Sequence, residues 1–127
     1  MRENIFDYLK EYGFSTEEIY FFQEVNDKLF FVDKSLIITN IEFFESKGLS
    51  SLEIITMIKN KPYLLTIGFR KRELLDKIYN EFFDKEELKN LIVKYTSSYI
   101  VNPLELSKKL ESSLNKKEMI ITYLSEH

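Results

Sequence analysis

The sequence predicts an all-α protein, built as a short helical-repeat solenoid of about eight helices in units of roughly 31–35 residues. Three observations lead to this fold class. A helix-start motif occurs four times, its spacing along the chain is nearly constant, and each copy follows an amphipathic stretch. The 3 Gly and 2 Pro residues are few for an all-β chain, which needs a turn about every 8–12 residues.

The helix-start motif consists of a capping residue, a Glu three positions later and an apolar residue on each side. In this pattern the cap accepts a hydrogen bond from a free N–H of the first turn, and the Glu reaches back to the N–H of the cap. The outer apolar residues occupy the positions of a hydrophobic staple. The caps are Ser15, Ser50, Asp84 and Asn115, the partners are Glu18, Glu53, Glu87 and Glu118, and the staple pairs are Phe14/Ile19, Leu49/Ile54, Phe83/Leu88 and Leu114/Met119.

Composition places the chain among globular proteins. Its 127 residues, 44% of them hydrophobic, are enough for one helical-repeat domain, 1–127. Because there is no Cys, disulfides and thiolate metal sites are excluded. The charged start, Met1–Asp7, lacks the apolar run of a signal peptide, and no stretch approaches the roughly 18 apolar residues of a membrane span. We therefore expect a cytoplasmic protein without a membrane partner.

Hydrophobic periodicity predicts the individual helices. They span about 4–12 (stopped by Gly13), 16–25, 36–44 (closed by Lys47-Gly48), a capped helix after Ser50 that ends at Asn60-Lys61-Pro62, 70–82, 85–95, one opened by Asn102 and Pro103, and a last one from Lys116. The residues predicted to face the core are Ile5, Leu9, Tyr12, Ile19, Tyr20, Phe22, Ile54, Ile55, Ile58, Leu74, Leu75, Ile78, Phe82, Leu88, Leu91, Ile92, Tyr95, Leu106, Leu110, Met119, Ile120 and Tyr123, and Phe21 is a further candidate.

One segment has two interpretations. Leu29–Val32 has the composition of a short buried strand, which would form a hairpin with 36–39 across 33–35. The same slot in the next repeat is Pro62–Leu65, a short apolar stretch after a capped helix. The repeat therefore favours a tight turn or 3₁₀ segment that fills the core.

The repeat over residues 40–65 resembles the mitochondrial transcription termination factor (mTERF) repeat. The resemblance rests on Gly48-Leu49 at the end of one helix and on Pro62-Tyr63-Leu64-Leu65 in the turn after the next helix. It implies a curved helical solenoid that binds nucleic acid through scattered basic residues. The first and third repeats depart from the pattern, since the proline slot holds Asp27 in one and about Thr96 in the other.

Charge is distributed unevenly along the chain. Residues 1–58 contain five basic and eleven acidic side chains, net −6, whereas residues 59–127 contain thirteen basic and ten acidic ones, net +3. Cations spaced along a surface can neutralise phosphates, and the alternative is an ordinary solvated face. The leading hypothesis is a nucleic-acid-binding groove between repeats, formed by Lys59, Lys61, Arg70, Lys71, Arg72 and Lys77.

A protein-binding adaptor or small inhibitor is the alternative, because short solenoids present surfaces to protein partners. We expect no catalytic site, no metal and no small-molecule cofactor. The sole histidine is the terminal His127, and the paired acids Glu17-Glu18 and Glu86-Glu87 suit first helical turns.

The tyrosines of the turns, Tyr63, Tyr95 and Tyr99, are interpreted as core residues whose hydroxyls reach solvent, with base stacking as the alternative. The acidic residues that would serve a protein-binding role are Glu11, Glu17, Glu18, Glu24, Asp27 and Asp33.

Overall fold

The computed structural model of the chain describes residues 3–126, so the expectations for the charged start and for His127 lie in part or wholly outside the described residues. Within that range the protein is helical and contains no strand, which confirms the all-α fold class. None of the described helices has both the length and the apolar character needed to cross a membrane. The helices are α1 (Glu3–Tyr12), α2 (Thr16–Val25), α3 (Lys34–Ser46), α4 (Ser51–Asn60), α5 (Phe69–Phe82), α6 (Lys85–Lys94), α7 (Pro103–Glu111) and α8 (Lys116–Glu126), and the 3₁₀ segments are Asp27–Phe30 and Pro62–Thr66.

The chain divides into two compact units. Unit 1 (Met1–Ile67) contains α1–α4 and both 3₁₀ segments, and unit 2 (Gly68–His127) contains α5–α8. Each unit has its own apolar core. In unit 1 the core includes Ile5, Leu9, Ile19, Phe22, Ile37, Ile41, Phe44, Ile54 and Ile58, and in unit 2 it includes Leu75, Tyr79, Leu88, Ile92, Tyr99, Leu106, Ile120 and Leu124.

Three of the four helix-start motifs form complete capping boxes. At α2 the Ser15 hydroxyl accepts from the Glu18 N–H over 3.1 Å, and the Glu18 carboxylate accepts from the Ser15 N–H over 2.8 Å. The same reciprocal pair occurs at α4 and at α6. Asn102 also caps α7, where its side-chain oxygen accepts from two first-turn N–H groups. These helix starts confirm the sequence prediction.

The fourth motif, at α8, is only partly formed. The Asn115 side-chain oxygen caps the Glu118 N–H, but Glu118 meets the Asn115 side-chain amide instead of its backbone N–H. Leu114 is fully exposed, so the expected staple is absent. Polar contacts stabilise this turn instead of a staple, because the Lys116 ammonium donates to the carbonyls of Leu110 and Ser113.

Unit 1 contains the same backbone path twice, 35 residues apart. Gly13 and Gly48 both have positive φ, 132° and 89°, where a glycine is favoured. Ser15 and Ser50 have nearly equal angles, φ −78° and ψ 162° against φ −77° and ψ 162°. The helix ends match too, with φ/ψ of −132°/86° at Asn26 and −136°/77° at the equivalent Lys61.

The ambiguous segment after α2 is a 3₁₀ turn, as the repeat predicted, and no hairpin forms there. Leu29 in this turn and Leu64 in the next are both buried. The third copy, after α6, is an irregular turn that keeps one shared hydrogen bond, from the Ser98 N–H to the Tyr95 carbonyl over 3.0 Å.

Several predicted inward positions are wrong. Tyr20 is 56% exposed and Leu74 is 38% exposed, although both were expected to face the core. Tyr79, which was not selected, is completely buried. Ile55 and Ile78 are only partly buried. These helices carry apolar residues on more than one side, and the tertiary neighbours decide which side is covered.

Buried amides hold the 3₁₀ segments of unit 1. The Asn26 amide donates to the Pro62 carbonyl over 3.2 Å and to the Thr66 hydroxyl over 2.9 Å. The amide of Asn40, on α3, donates to the carbonyls of Leu65 and Ile67. Both Asn side chains lie inside the unit, so these hydrogen bonds form away from water; those of Asn26 link the two copies, and those of Asn40 link α3 to the end of its own copy.

Candidate functional surfaces

The six cations of the predicted groove belong to different units. Lys59 and Lys61 lie at the end of α4 in unit 1, and the other four lie on α5 in unit 2. Lys59 pairs with Glu18 of α2 over 3.1 Å, which neutralises both charges locally. Lys61 follows the last residue of α4 and is partly buried.

Arg72 is not a surface cation. It is 5% exposed, and its guanidinium lies 5.3 Å from the centre of the Phe69 ring. Burial lowers the pKa of the Arg72 guanidinium, while the neighbouring Glu73 and Asp76 oppose that shift. A cation with so little exposed surface cannot reach a phosphate backbone, so we leave Arg72 out of any phosphate-binding surface.

Arg70, Lys71 and Lys77 are exposed on α5. Arg70 and Lys77 line an open depression of about 530 Å³ that runs along this helix. The same depression is lined by the acids Glu73 and Asp76, so its charge is mixed. The structure thus brings two of the six predicted cations to one helical face, with acids between them.

A second surface lies on the outer side of α2. Five of its residues are spaced i, i+3, i+4, i+7 and i+8, the spacing of one helical face, and a sixth follows in the 3₁₀ segment after α2; all six are exposed. Tyr20, Phe21 and Val25 expose 56%, 50% and 54% of their surface. We call this surface the α2 stripe; it consists of Glu17, Tyr20, Phe21, Glu24, Val25 and Lys28.

The α2 stripe is unusual because the opposite side of the helix is apolar as well. Ile19 and Phe22 fill the core of unit 1. A helix on the surface of a globular protein normally presents polar residues to solvent, and one that is apolar on both sides is normally covered on both. The outer side of α2 is therefore open to a further apolar contact.

The repeat allows the α2 stripe to be compared with its equivalents. The equivalent positions are Leu52, Ile55, Thr56, Lys59 and Asn60 on α4 with Tyr63 in the 3₁₀ segment after it, and Glu86, Lys89, Asn90, Val93 and Lys94 on α6 with Ser97 in the turn after it. Apolar residues occupy three of the six positions in the first and second sets but one of six in the third, and only the α2 set combines three apolar residues with two acids. Since α6 folds with a polar face at these positions, helix formation does not require the apolar ones.

The three turn tyrosines have different surroundings. Tyr63 is 40% exposed, and Tyr95 is partly buried, with the Lys94 ammonium 5.4 Å from its ring centre. Tyr99 is buried, and its hydroxyl does not reach solvent, contrary to the prediction. Its ring stacks on Tyr79 at 4.3 Å between centres, and burial raises the pKa of both hydroxyls.

A smaller depression of about 230 Å³ lies between α6 and α8 within unit 2. Phe83 and Leu91 contribute apolar surface, and the Lys117 ammonium lies 5.3 Å from the centre of the Phe83 ring. Lys117 also pairs with Glu87, the acid of the third capping box. Across residues 3–126 no three side chains of the His, Cys, Asp or Glu types are grouped closely enough to hold a metal ion.

No protein-family model, curated protein or solved structure matches this chain. The evidence on function is therefore the chemistry of its own surfaces.

Sequence analysis identified the cations of α5 but missed the α2 stripe. Tyr20 and Phe21 lie next to Ile19 and Phe22 in the chain, and a run of four apolar residues in a helix does not show which of them face outward. A usable signal was present in the repeat. The positions equivalent to Tyr20, Phe21 and Val25 are Lys89, Asn90 and Lys94 on α6, which marks them as solvent-facing.

Proposed function

We propose that the chain is a short helical-repeat solenoid that acts as a non-catalytic protein-binding module, with the α2 stripe as its contact surface. The observation that carries this proposal is the exposure of Tyr20, Phe21 and Val25 along one face of a helix whose other face is already buried. Contiguous exposed apolar residues with a polar rim are typical of protein interaction sites. Aromatic residues are also enriched at such interfaces.

The solenoid architecture is supported by contacts inside unit 1. A Cβ placed on Gly13 would lie 2.8 Å from the Ile55 side chain, and further along the same two segments Glu18 pairs with Lys59. The two contacts follow the same order along both segments, which is the order expected for equivalent segments of stacked repeats. The resemblance of residues 40–65 to the mTERF repeat supports the same architecture.

The proposal is tested by affinity capture from native lysate with and without nuclease. The variant Y20Q/F21Q/V25Q keeps good helix formers on α2 but removes the apolar contact surface. The matched control is V93Q/L104Q, which removes exposed apolar residues from α6 and α7. We expect a protein partner that survives nuclease and is recovered by the wild type and the control but not by the α2 variant.

Two outcomes would contradict the proposal. Equal recovery by the α2 variant would show that the α2 stripe is not the contact surface. Loss of every partner on nuclease treatment would show that proteins are recovered only through nucleic acid.

Nucleic-acid binding through α5 is the second candidate. The observation in its favour is the position of Arg70 and Lys71 in the first turn of α5, where the helix dipole disfavours cations. Five other helices, α2, α4, α6, α7 and α8, carry Glu in their first turns. A feature that the helix itself disfavours is easier to explain by an anionic ligand.

This candidate is tested by titrating the protein with a labelled duplex and with single-stranded RNA at several salt concentrations. Binding through phosphates falls steeply with salt, and R70A/K71A should lower the log–log slope by about 0.7–0.9 for each phosphate that is no longer neutralised. The matched control is K108A/K109A, which removes two exposed cations from α7. If both double variants change binding equally, the α5 cations have no special role.

A further inference from the structure

We infer that the partner of the α2 stripe is a cationic amphipathic helix. This inference rests on the proposed protein-binding function and adds the chemical class of the partner. Three features of the α2 stripe support it: its shape, its charge, and the lack of free backbone groups on α2 for a partner strand.

The shape of the α2 stripe matches a helical partner. Glu17 to Val25 covers nine residues, about 12 Å along the helix axis. Tyr20, Phe21 and Val25 lie on the same face as Glu17 and Glu24, so the apolar surface is a narrow strip of about one and a half turns with acids beside it. A second helix with apolar residues at i, i+3 and i+4 presents a strip of similar width and length.

The backbone of α2 leaves few other ways to bind an extended partner. Its N-terminal groups are capped by Ser15, and its last turn is closed by the Asn26 N–H. No strand is present between residues 3 and 126, so these residues offer no sheet edge to which a partner strand could add. The contact must be made by side chains, as it is between packed helices.

The charge of the α2 stripe selects the sign of the partner. Glu17 and Glu24 are exposed among the apolar residues. The positive charge of Lys28 is offset by the negative charge of the preceding residue, Asp27. The third acid of α2, Glu18, is already paired with Lys59. A partner with Lys or Arg beside its apolar strip would pair with Glu17 and Glu24, whereas an acidic partner would place like charges together.

A second copy of the chain fits this surface less well. Two α2 stripes packed face to face would bring Glu17 and Glu24 of both copies into one apolar contact, where like charges are destabilising. Unit 1 as a whole contains eleven acidic and seven basic side chains, so its self-association is opposed more broadly. Self-association is therefore kept as an outcome of the test.

The test uses labelled synthetic peptides of about 18 residues, long enough to form a helix on binding. One peptide carries a Leu strip flanked by Lys, the second carries the same strip flanked by Glu, and the third has the composition of the first in scrambled order. Fluorescence anisotropy measures the binding of each to the full chain at two salt concentrations. We expect the Lys peptide to bind about tenfold more tightly than the Glu peptide, which corresponds to about 1.4 kcal/mol.

Variants then assign the binding to the α2 stripe. E17K/E24K should reverse the preference between the Lys and Glu peptides. The matched control E42K/E111K makes the same charge change at exposed positions on α3 and α7, and should leave the preference as in the wild type. F21Q/V25Q should weaken the binding of the Lys peptide. It should leave the already weak binding of the scrambled peptide unchanged.

The outcomes separate this inference from the proposed function. If F21Q/V25Q weakens binding but the Glu peptide binds as well as the Lys peptide, the inference is wrong and the binding surface stands. If E42K/E111K has the same effect as E17K/E24K, the Lys peptide binds by general charge attraction, which also overturns the inference. If F21Q/V25Q changes no peptide's binding and the lysate capture is also unaffected, the proposed function fails. A concentration-dependent dimer by light scattering that F21Q/V25Q abolishes would make a second copy the occupant and overturn the inference.

Discussion

The side-chain amide of Asn26 donates a hydrogen bond to the hydroxyl of Thr66 over 2.9 Å, which joins the end of the first repeat to the end of the second. Asn26 closes α2, and Thr66 is the last residue of the second 3₁₀ segment. The same amide donates to the Pro62 carbonyl, so one side chain serves two acceptors inside unit 1. The packing of these two segments thus depends on a buried polar contact as well as on apolar packing.

Replacing Asn26 with Ala should destabilise the protein by about 1–3 kcal/mol, because buried acceptor groups lose their donor. Urea unfolding followed by circular dichroism measures the change. The control is N60A, which removes an exposed Asn at the end of α4, at the C-terminal end of the other capped helix of unit 1. Equal destabilisation by the two variants would show that the buried amide contributes nothing beyond helix termination.

Replacing Gly13 with Ala should cost about 1–3 kcal/mol, because its φ of 132° strains any residue with a Cβ. The new Cβ would also lie 2.8 Å from the Ile55 Cδ1 atom. Gly68 provides the matched control, since its φ is −62° and a Cβ there would meet no atom within 4 Å. We expect G68A to change the unfolding free energy by less than about 0.5 kcal/mol.

The two causes of the Gly13 effect can be separated with the double variant G13A/I55V. Valine lacks the Cδ1 atom, so the clash is removed while the backbone strain remains. A double-mutant cycle should therefore show that I55V costs less in the G13A background than in the wild type. Strict additivity would mean that the clash is relieved at no cost by movement of Ile55.

The parts of the fold that the sequence predicts correctly are governed by short-range chemistry. Ser15 with Glu18, and the equivalent pairs of α4 and α6, lie three residues apart, and each side chain accepts from the other residue's backbone N–H. These hydrogen bonds are local to the helix start, so they depend little on residues that are distant in sequence. The 3₁₀ turn after α2 was predictable because the repeat supplied a second example, Pro62–Thr66, with a proline that excludes a continuing helix.

The parts that were missed depend on neighbours that are distant in sequence. Tyr20 and Ile19 are adjacent in α2, yet one is 56% exposed and the other is fully buried. Arg72 carries the same charge as Arg70, but Arg72 is buried with its guanidinium beside the Phe69 ring, whereas Arg70 is exposed. Charge and hydrophobicity in the sequence identify candidate core and surface residues, and the tertiary contacts decide which of them are buried.

Glu18 should make the stability of the protein depend on pH in the acidic range. Its carboxylate accepts from the Ser15 N–H and pairs with Lys59, and these contacts hold the pKa of Glu18 below its ordinary value of 4.5. The unfolded state therefore takes up the proton first. The contribution is present above about pH 4.5 and is lost as the pH falls through the lower folded-state pKa.

The measurement is an NMR titration of the Glu18 side chain in the wild type and in K59M. Removing the Lys59 ammonium should raise the pKa of Glu18 towards 4.5 without restoring it fully, because the Ser15 N–H remains. K61M, which removes a cation two residues further along, is the control. A pKa of Glu18 that is unchanged in K59M would mean that the ion pair does not persist in solution.

Tyr79 and Tyr99 should respond differently to removal of their hydroxyl groups, although both are buried and their rings stack. The Tyr79 hydroxyl donates to the Tyr99 carbonyl over 2.7 Å, whereas the Tyr99 hydroxyl has no hydrogen-bond partner among the described residues. Y79F should therefore cost about 1–2 kcal/mol, because a buried carbonyl loses its donor. Y99F removes a buried polar group that makes no such bond, so it should be neutral or stabilising.

Both free energies come from urea unfolding, and each variant is the other's control because it removes one oxygen from the same ring pair. Destabilisation by Y99F as large as that by Y79F would show that the Tyr99 hydroxyl is satisfied in solution, by a buried water or by a shift of α5 towards it.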